Sequence, residues 1–111
     1  MADTGDLGKT VAAIQYIDTC LGGICEKVRE CGGVVIITST HGNCEEMIYA
    51  ESGEPNSQTT SNPVPFHYID DMATGARLFS GKSLEDIAPT ILGILDIEKP
   101  AEMTGADLRC I

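Results

Sequence analysis

Apolar positions along this chain follow two different periods. Over residues 7–31 they recur at steps of three and four: Ile14, Ile17, Leu21, Ile24 and Val28, extended by Val11. Such spacing draws one stripe along a helix. Asp6 supplies an N-cap, and Gly32-Gly33 stops the helix after Cys31. Gly22-Gly23 weakens its middle by about 1 kcal/mol per glycine. Val34-Val35-Ile36-Ile37-Thr38 then runs without polar alternation, which predicts a strand buried on both faces, as in a parallel sheet flanked by helices. Helix, Gly-Gly and buried strand together read as the second half of a βαβ unit. The strand ends in Ser39-Thr40-His41-Gly42-Asn43, at the end of the strand where open α/β folds place their chemistry.

Residues 51–63 are polar and rich in turn formers, which predicts a long surface excursion. Val64–Ile69 reads as another strand, with Pro65 marking its start or an edge. Residues 70–80 are turn-like with room for a short strand. Ser83–Asp86 leads into a second helix over residues 87–95, with Pro89 confined to its first turn. Ala88, Ile91, Leu92 and Leu95 are expected to face the core. From Pro100 onward the chain reads as a loose tail tucked back through Met103 and Leu108. Two helices and two or three strands make a thin core for 111 residues. The expectation is a single truncated domain over 1–111, α/β in class, whose sheet needs other protein chains to cover it.

Charge narrows the partners. Seven basic against seventeen acidic residues give a net charge of −10, which repels phosphate backbones and anionic lipid and argues against nucleic acid or a membrane surface. No apolar run approaches the roughly 20 residues that span a bilayer. The N-terminal Met1–Asp6 segment is acidic and unlike a signal or transit peptide. Five cysteines, an odd number with no Cys-x-x-Cys, fit free thiols in a reducing compartment. Cytoplasm is the expected site, with an organelle interior as the alternative for a processed chain.

The segment from Gly32 to Met47, with Thr38-Ser39-Thr40-His41-Gly42-Asn43-Cys44-Glu45-Glu46-Met47 at its end, resembles the metal-binding strand and loop of cofactor-independent phosphoglycerate mutases, within the alkaline phosphatase superfamily. Further segments match in family order. They are Thr4-Gly5-Asp6-Leu7, Ser61-Asn62-Pro63-Val64-Pro65-Phe66, Leu84-Glu85-Asp86-Ile87-Ala88-Pro89-Thr90-Ile91-Leu92 and Ala101-Glu102-Met103-Thr104-Gly105. The resemblance implies the last part of an alkaline-phosphatase-like domain, a partial sheet with flanking helices. It also implies a family reaction interconverting 3- and 2-phosphoglycerate through a serine nucleophile and two manganese or magnesium ions.

The family's ligands are only partly kept. His41 matches a metal-binding histidine, but Thr40 stands where the family has aspartate. Asp3 stands at another histidine position, Thr59 at a third, and Asn56 replaces a further histidine. A hydroxyl is a poor substitute for carboxylate or imidazole. The implied candidates for metal are therefore His41, as a remnant, and Asp3, with no catalytic residue and no cofactor expected. The corresponding function is a catalytically inactive structural subunit; the alternative is a piece of an active metal-dependent mutase. Rather than catalytic groups, His67 reads as facing solvent or a partner, Cys44 as an inert thiol, and Glu45-Glu46 and Asp70-Asp71 as solvated acidic faces. Gly5-x-x-Gly8-Lys9-Thr10 lacks the spacing of a phosphate loop. Thr60 and Asn62-Pro63 read as turn formers.

Overall fold

A computed structural model describes residues 6–56 and 58–110. The chain divides into two compact units, Met1–Met72 and Ala73–Ile111. The α/β class and the partial character of the fold are as expected: the described residues form two α-helices and one two-stranded sheet.

In the first unit, helix α1 spans Leu7–Glu30. The Asp6 side chain caps it, accepting from the Lys9 N–H at 3.0 Å. Its C-terminus closes as a Schellman turn. Gly32, at φ +73°, donates to the Arg29 carbonyl, and the Gly33 N–H donates to the Val28 carbonyl at 2.9 Å. A side chain at Gly33 would run into Val28. Strand β1, Val35–Thr38, follows at once and pairs with β2, Phe66–Ile69. The pairing is antiparallel, with Val35 opposite Ile69 and Thr38 opposite Phe66. This corrects the parallel reading of the sequence. A run of β-branched residues says that a strand is apolar on both faces; it carries no information on the direction of its neighbour. Val35, Ile36 and Ile37 are half-buried rather than enclosed.

The α1 stripe is largely uncovered. Ile14, Ile17 and Ile24 are 47%, 53% and 54% exposed. Each such side chain forgoes about 1 kcal/mol of burial. One exposed ion pair ties the helix to the end of β2: Arg29 Nε donates to Asp71 Oδ1 at 3.0 Å. Among the described residues no helix is long and apolar enough to cross a membrane.

The second unit is organised around Asp86 and Thr90. Ser83 and Asp86 form a capping box, with the Ser83 N–H donating to Asp86 Oδ2 at 2.9 Å. Asp86 Oδ1 accepts from the Ala106 N–H at 2.8 Å. These backbone donors, Ser83 first and then Ala106, hold the Asp86 carboxyl below its ordinary pKa. Helix α2 spans Ile87–Ile94, with Pro89 in its first turn as expected. The face it buries differs from the expected one. Pro89 and Thr90 are buried, whereas Ala88, Ile91 and Leu95 are exposed. Thr90 is inward because its hydroxyl serves twice. It donates to the Asp86 carbonyl at 2.7 Å and accepts from the Leu108 N–H at 2.9 Å.

The tail does tuck back. Leu108 is buried, its carbonyl accepts from Phe79, and Leu78 bridges Arg109. Gly105 lies so close to the Glu85 carbonyl that a side chain there would collide with it. The α2 C-terminus repeats the Schellman pattern with Asp96, rather than glycine, at φ +57°.

Thr90→Val removes both hydroxyl contacts and strands the Leu108 N–H in a buried site, a loss of about 1–3 kcal/mol. Amide exchange at Leu108 is expected to accelerate by about 10- to 100-fold, and unchanged protection would refute the role given to Thr90.

Candidate functional site

The loops flanking the sheet meet beyond the end of β1. Antiparallel pairing continues past the strands, with Gly42 bridging Thr60 and the Thr60 N–H donating to the Gly42 carbonyl at 2.7 Å. Thr38 Oγ1 donates to the Pro65 carbonyl at 2.9 Å, which fastens the strand end. A 3-10 turn, Cys44–Glu46, follows. Farther out, the Asn56 N–H donates to the Met47 carbonyl at 2.6 Å, and Met47 is buried beneath this junction.

The centre of the loop is a network of carboxylates and neutral donors. Thr60 Oγ1 donates to Glu45 Oε2. The Asn62 amide donates to Glu45 Oε2 and to Glu46 Oε1, both at 3.0 Å. A Cβ at Gly42 would displace the Glu45 carboxylate and the Thr60 hydroxyl from each other. Asn43 donates through Nδ2 to the Gln58 carbonyl at 2.9 Å, while its Oδ1 is buried without a hydrogen-bond partner among the described residues. The donors converging on Glu45 hold its carboxyl down to about 2, with the Thr60 hydroxyl contributing most, then its own backbone N–H and the Asn62 amide.

The sequence-derived candidates fall unevenly on this geometry. His41 lies in the loop, exposed, and its carbonyl accepts from Ser39 Oγ at 2.7 Å. Thr40 and Thr59 are also exposed. Asp3 lies outside the described residues. Among the described residues, no three His, Cys, Asp or Glu side chains gather in a way that could hold a metal ion. His41 is the one imidazole of this loop, and the carboxylates of Glu45 and Glu46 are engaged by Thr60 and Asn62. His67 is exposed on β2, and all five cysteines are free thiols, Cys44 among them and exposed. Asp71 pairs with Arg29, and Asp70 accepts from the Tyr68 hydroxyl at 2.7 Å.

Sequence reasoning missed the roles of Glu45, Thr60 and Asn62. Glu45-Glu46 read as solvated charge and Thr60 and Asn62 as turn formers. An antiparallel reading of the two strands would have brought residues near 42 opposite residues near 60 and exposed the network.

Glu45 has a depressed folded-state pKa, so its contribution to loop order is present above its ordinary value near 4.5 and is lost as pH falls toward about 2. Carboxyl carbon NMR should place its midpoint near that low value, and Thr60→Val should raise it toward the ordinary one. A Glu45 midpoint indifferent to that substitution would contradict the network.

Comparisons with known proteins identify the family of this chain. The Metalloenzyme superfamily model matches residues 1–99. The chain is 48% identical over 105 residues to the 2,3-bisphosphoglycerate-independent phosphoglycerate mutase of Moorella thermoacetica, covering 95% of this chain and 20% of that protein. The protein of the same name from Clostridioides difficile is 43% identical over 105 residues, with 95% of this chain and 21% of the relative covered. That of Psychrobacter arcticus is 43% identical, with 95% and 19% covered. The chain thus spans about a fifth of the length of the curated relatives it matches. With a matched region that takes in α1, the His41 loop and all of α2, the chain belongs to the Metalloenzyme superfamily.

Proposed function

We propose that this chain is a phosphoglycerate-mutase-like module that carries out no chemistry of its own and serves as a structural subunit of a larger assembly in a reducing compartment. The observation that carries the reading is the donor set of the strand-end loop. Thr40 and Thr59 are neutral where the resemblance calls for carboxylate and imidazole, and His41 stands between them as the one imidazole of the loop. Loss of a single ligand weakens metal affinity about 10- to 100-fold, so two such changes remove a working two-metal centre. The shape-determining residues persist beside this loss: the capped α1, the Gly42–Thr60 junction and the Ser83–Asp86 box. The uncovered α1 stripe is the surface of a subunit that requires a neighbour.

A second reading draws on the matched fifth of the mutase length. In it, the chain is one piece of an active, metal-dependent mutase whose remaining parts lie on another polypeptide.

Metal analysis and a phosphoglycerate assay on the full chain separate these. The structural reading expects no stoichiometric manganese after dialysis and no turnover. It also expects the Thr40→Asp, Thr59→His double substitution to raise manganese affinity by at least about 100-fold. Stoichiometric manganese on the unaltered chain, with interconversion of 3- and 2-phosphoglycerate, would overturn it.

A further inference from the structure

We propose that the second unit carries a peptide-binding seat, and that residues 105–110 are its ligand, tethered to the same chain. The reading is independent of the subunit role. The seat consists of the Asp86 carboxylate, the Thr90 hydroxyl and the backbone at Arg77 and Phe79, and it grips main chain. The Ala106 N–H donates to Asp86 Oδ1 at 2.8 Å, and the Leu108 N–H to Thr90 Oγ1 at 2.9 Å. The Cys110 N–H donates to the Arg77 carbonyl, and the Phe79 N–H to the Leu108 carbonyl, both at 2.8 Å. The three N–H groups of the segment belong to alternate residues. Peptides added to a sheet edge are held in the same way, with affinity from main-chain bonds and selectivity from a few side-chain positions.

The two side-chain acceptors are set by bonds in which the segment takes no part. The Ser83 N–H donates to Asp86 Oδ2 at 2.9 Å, and the Thr90 hydroxyl donates to the Asp86 carbonyl at 2.7 Å. Four residues of helix rise about 6 Å, close to the roughly 6.7 Å between alternate residues of extended chain. Asp86 and Thr90 are therefore spaced to meet two successive N–H groups on one edge of a peptide.

Selectivity comes from two positions. Gly105 and Leu108 are buried, while Ala106 and Cys110 are exposed. A side chain at Gly105 would meet the Glu85 carbonyl, a backbone group that has no rotamer to swing aside. Leu108 is the large apolar side chain buried in this unit. Asp107 and Arg109 pair with each other against Gly93, Nη2 to Oδ2 at 2.8 Å, so the segment brings its own countercharge. The recognised pattern is glycine followed three residues on by leucine. The tether, by contrast, is held locally. Residues 95–102 are exposed. The Ile97 N–H returns to the Leu92 carbonyl, and the Met103 N–H donates to the Pro100 carbonyl. Lys99 Nζ adds one bond to the Gly105 carbonyl at 2.6 Å. Because Leu108 leaves with the segment, release loosens the unit, and refilling the seat restores its order.

The test uses the full chain carrying Gly105→Val, whose own segment collides with the seat, and a synthetic peptide of residues 103–110. Protection of the Phe79 amide from hydrogen exchange is the readout. The native peptide is expected to bind this variant with a dissociation constant on the order of 100 µM and to restore protection at Phe79. The same peptide carrying Gly105→Val should bind at least about 30-fold more weakly. The unaltered chain, whose seat is filled, should take up the native peptide at least about 30-fold more weakly than the variant does. A variant that ignores the native peptide, a valine peptide that binds as well as the glycine one, or an unaltered chain that binds as tightly as the variant would each overturn the proposal. If Gly105→Val precipitates, the unaltered chain in millimolar native peptide decides alone. Displacement of the tethered segment then speeds exchange at the Leu108 amide of the chain while Phe79 stays protected, and unchanged exchange at Leu108 would overturn the proposal.

Discussion

Apolar surface must be covered, and within the described residues this chain covers little of its own. Met47 and Leu108 are the large apolar side chains that are buried among the described residues. Local order therefore comes chiefly from directed interactions: the Asp6 cap, two Schellman turns, the capping box at Ser83, and the hydroxyl of Thr90. Each fixes a short stretch of backbone without needing a thick core. A fold built this way keeps its local geometry while presenting apolar helix faces, which is the physical situation of a piece of a larger domain.

The candidate site depends on the same kind of interaction. Glu45 and Glu46 would repel each other and any nearby acid, but the Thr60 hydroxyl and the Asn62 amide bind them across the loop. The carboxylates that lie nearest to His41 in the sequence are thereby engaged in holding two loops together. The charged groups at this loop end serve cohesion.

Much of this was legible in the sequence. The bounds of α1 and α2 follow from Asp6, Gly32-Gly33, Ser83 and Pro89, because caps and stops act within a few residues of themselves. Both strands were also legible. The pairing direction was not, since Val34–Ile37 is apolar on both faces whichever way its neighbour runs. The buried face of α2 was not legible either. Periodicity counts apolar residues, and the pivot is Thr90, drawn inward by two hydrogen bonds made with residues on either side of it in the chain. The Glu45–Thr60–Asn62 network failed to show for a related reason: its members are seventeen residues apart at most, and only the antiparallel ladder brings them together.

Asp96 bears on how the second unit comes apart. Its left-handed backbone is a conformation that glycine adopts without penalty and aspartate does not. Its negative charge also sits at the negative end of the α2 dipole. Two small penalties at one residue offset part of what the hydrogen bonds of this closing turn contribute. Fraying from that end is expected to run back toward Thr90, whose hydroxyl is bonded both to Asp86 and to Leu108.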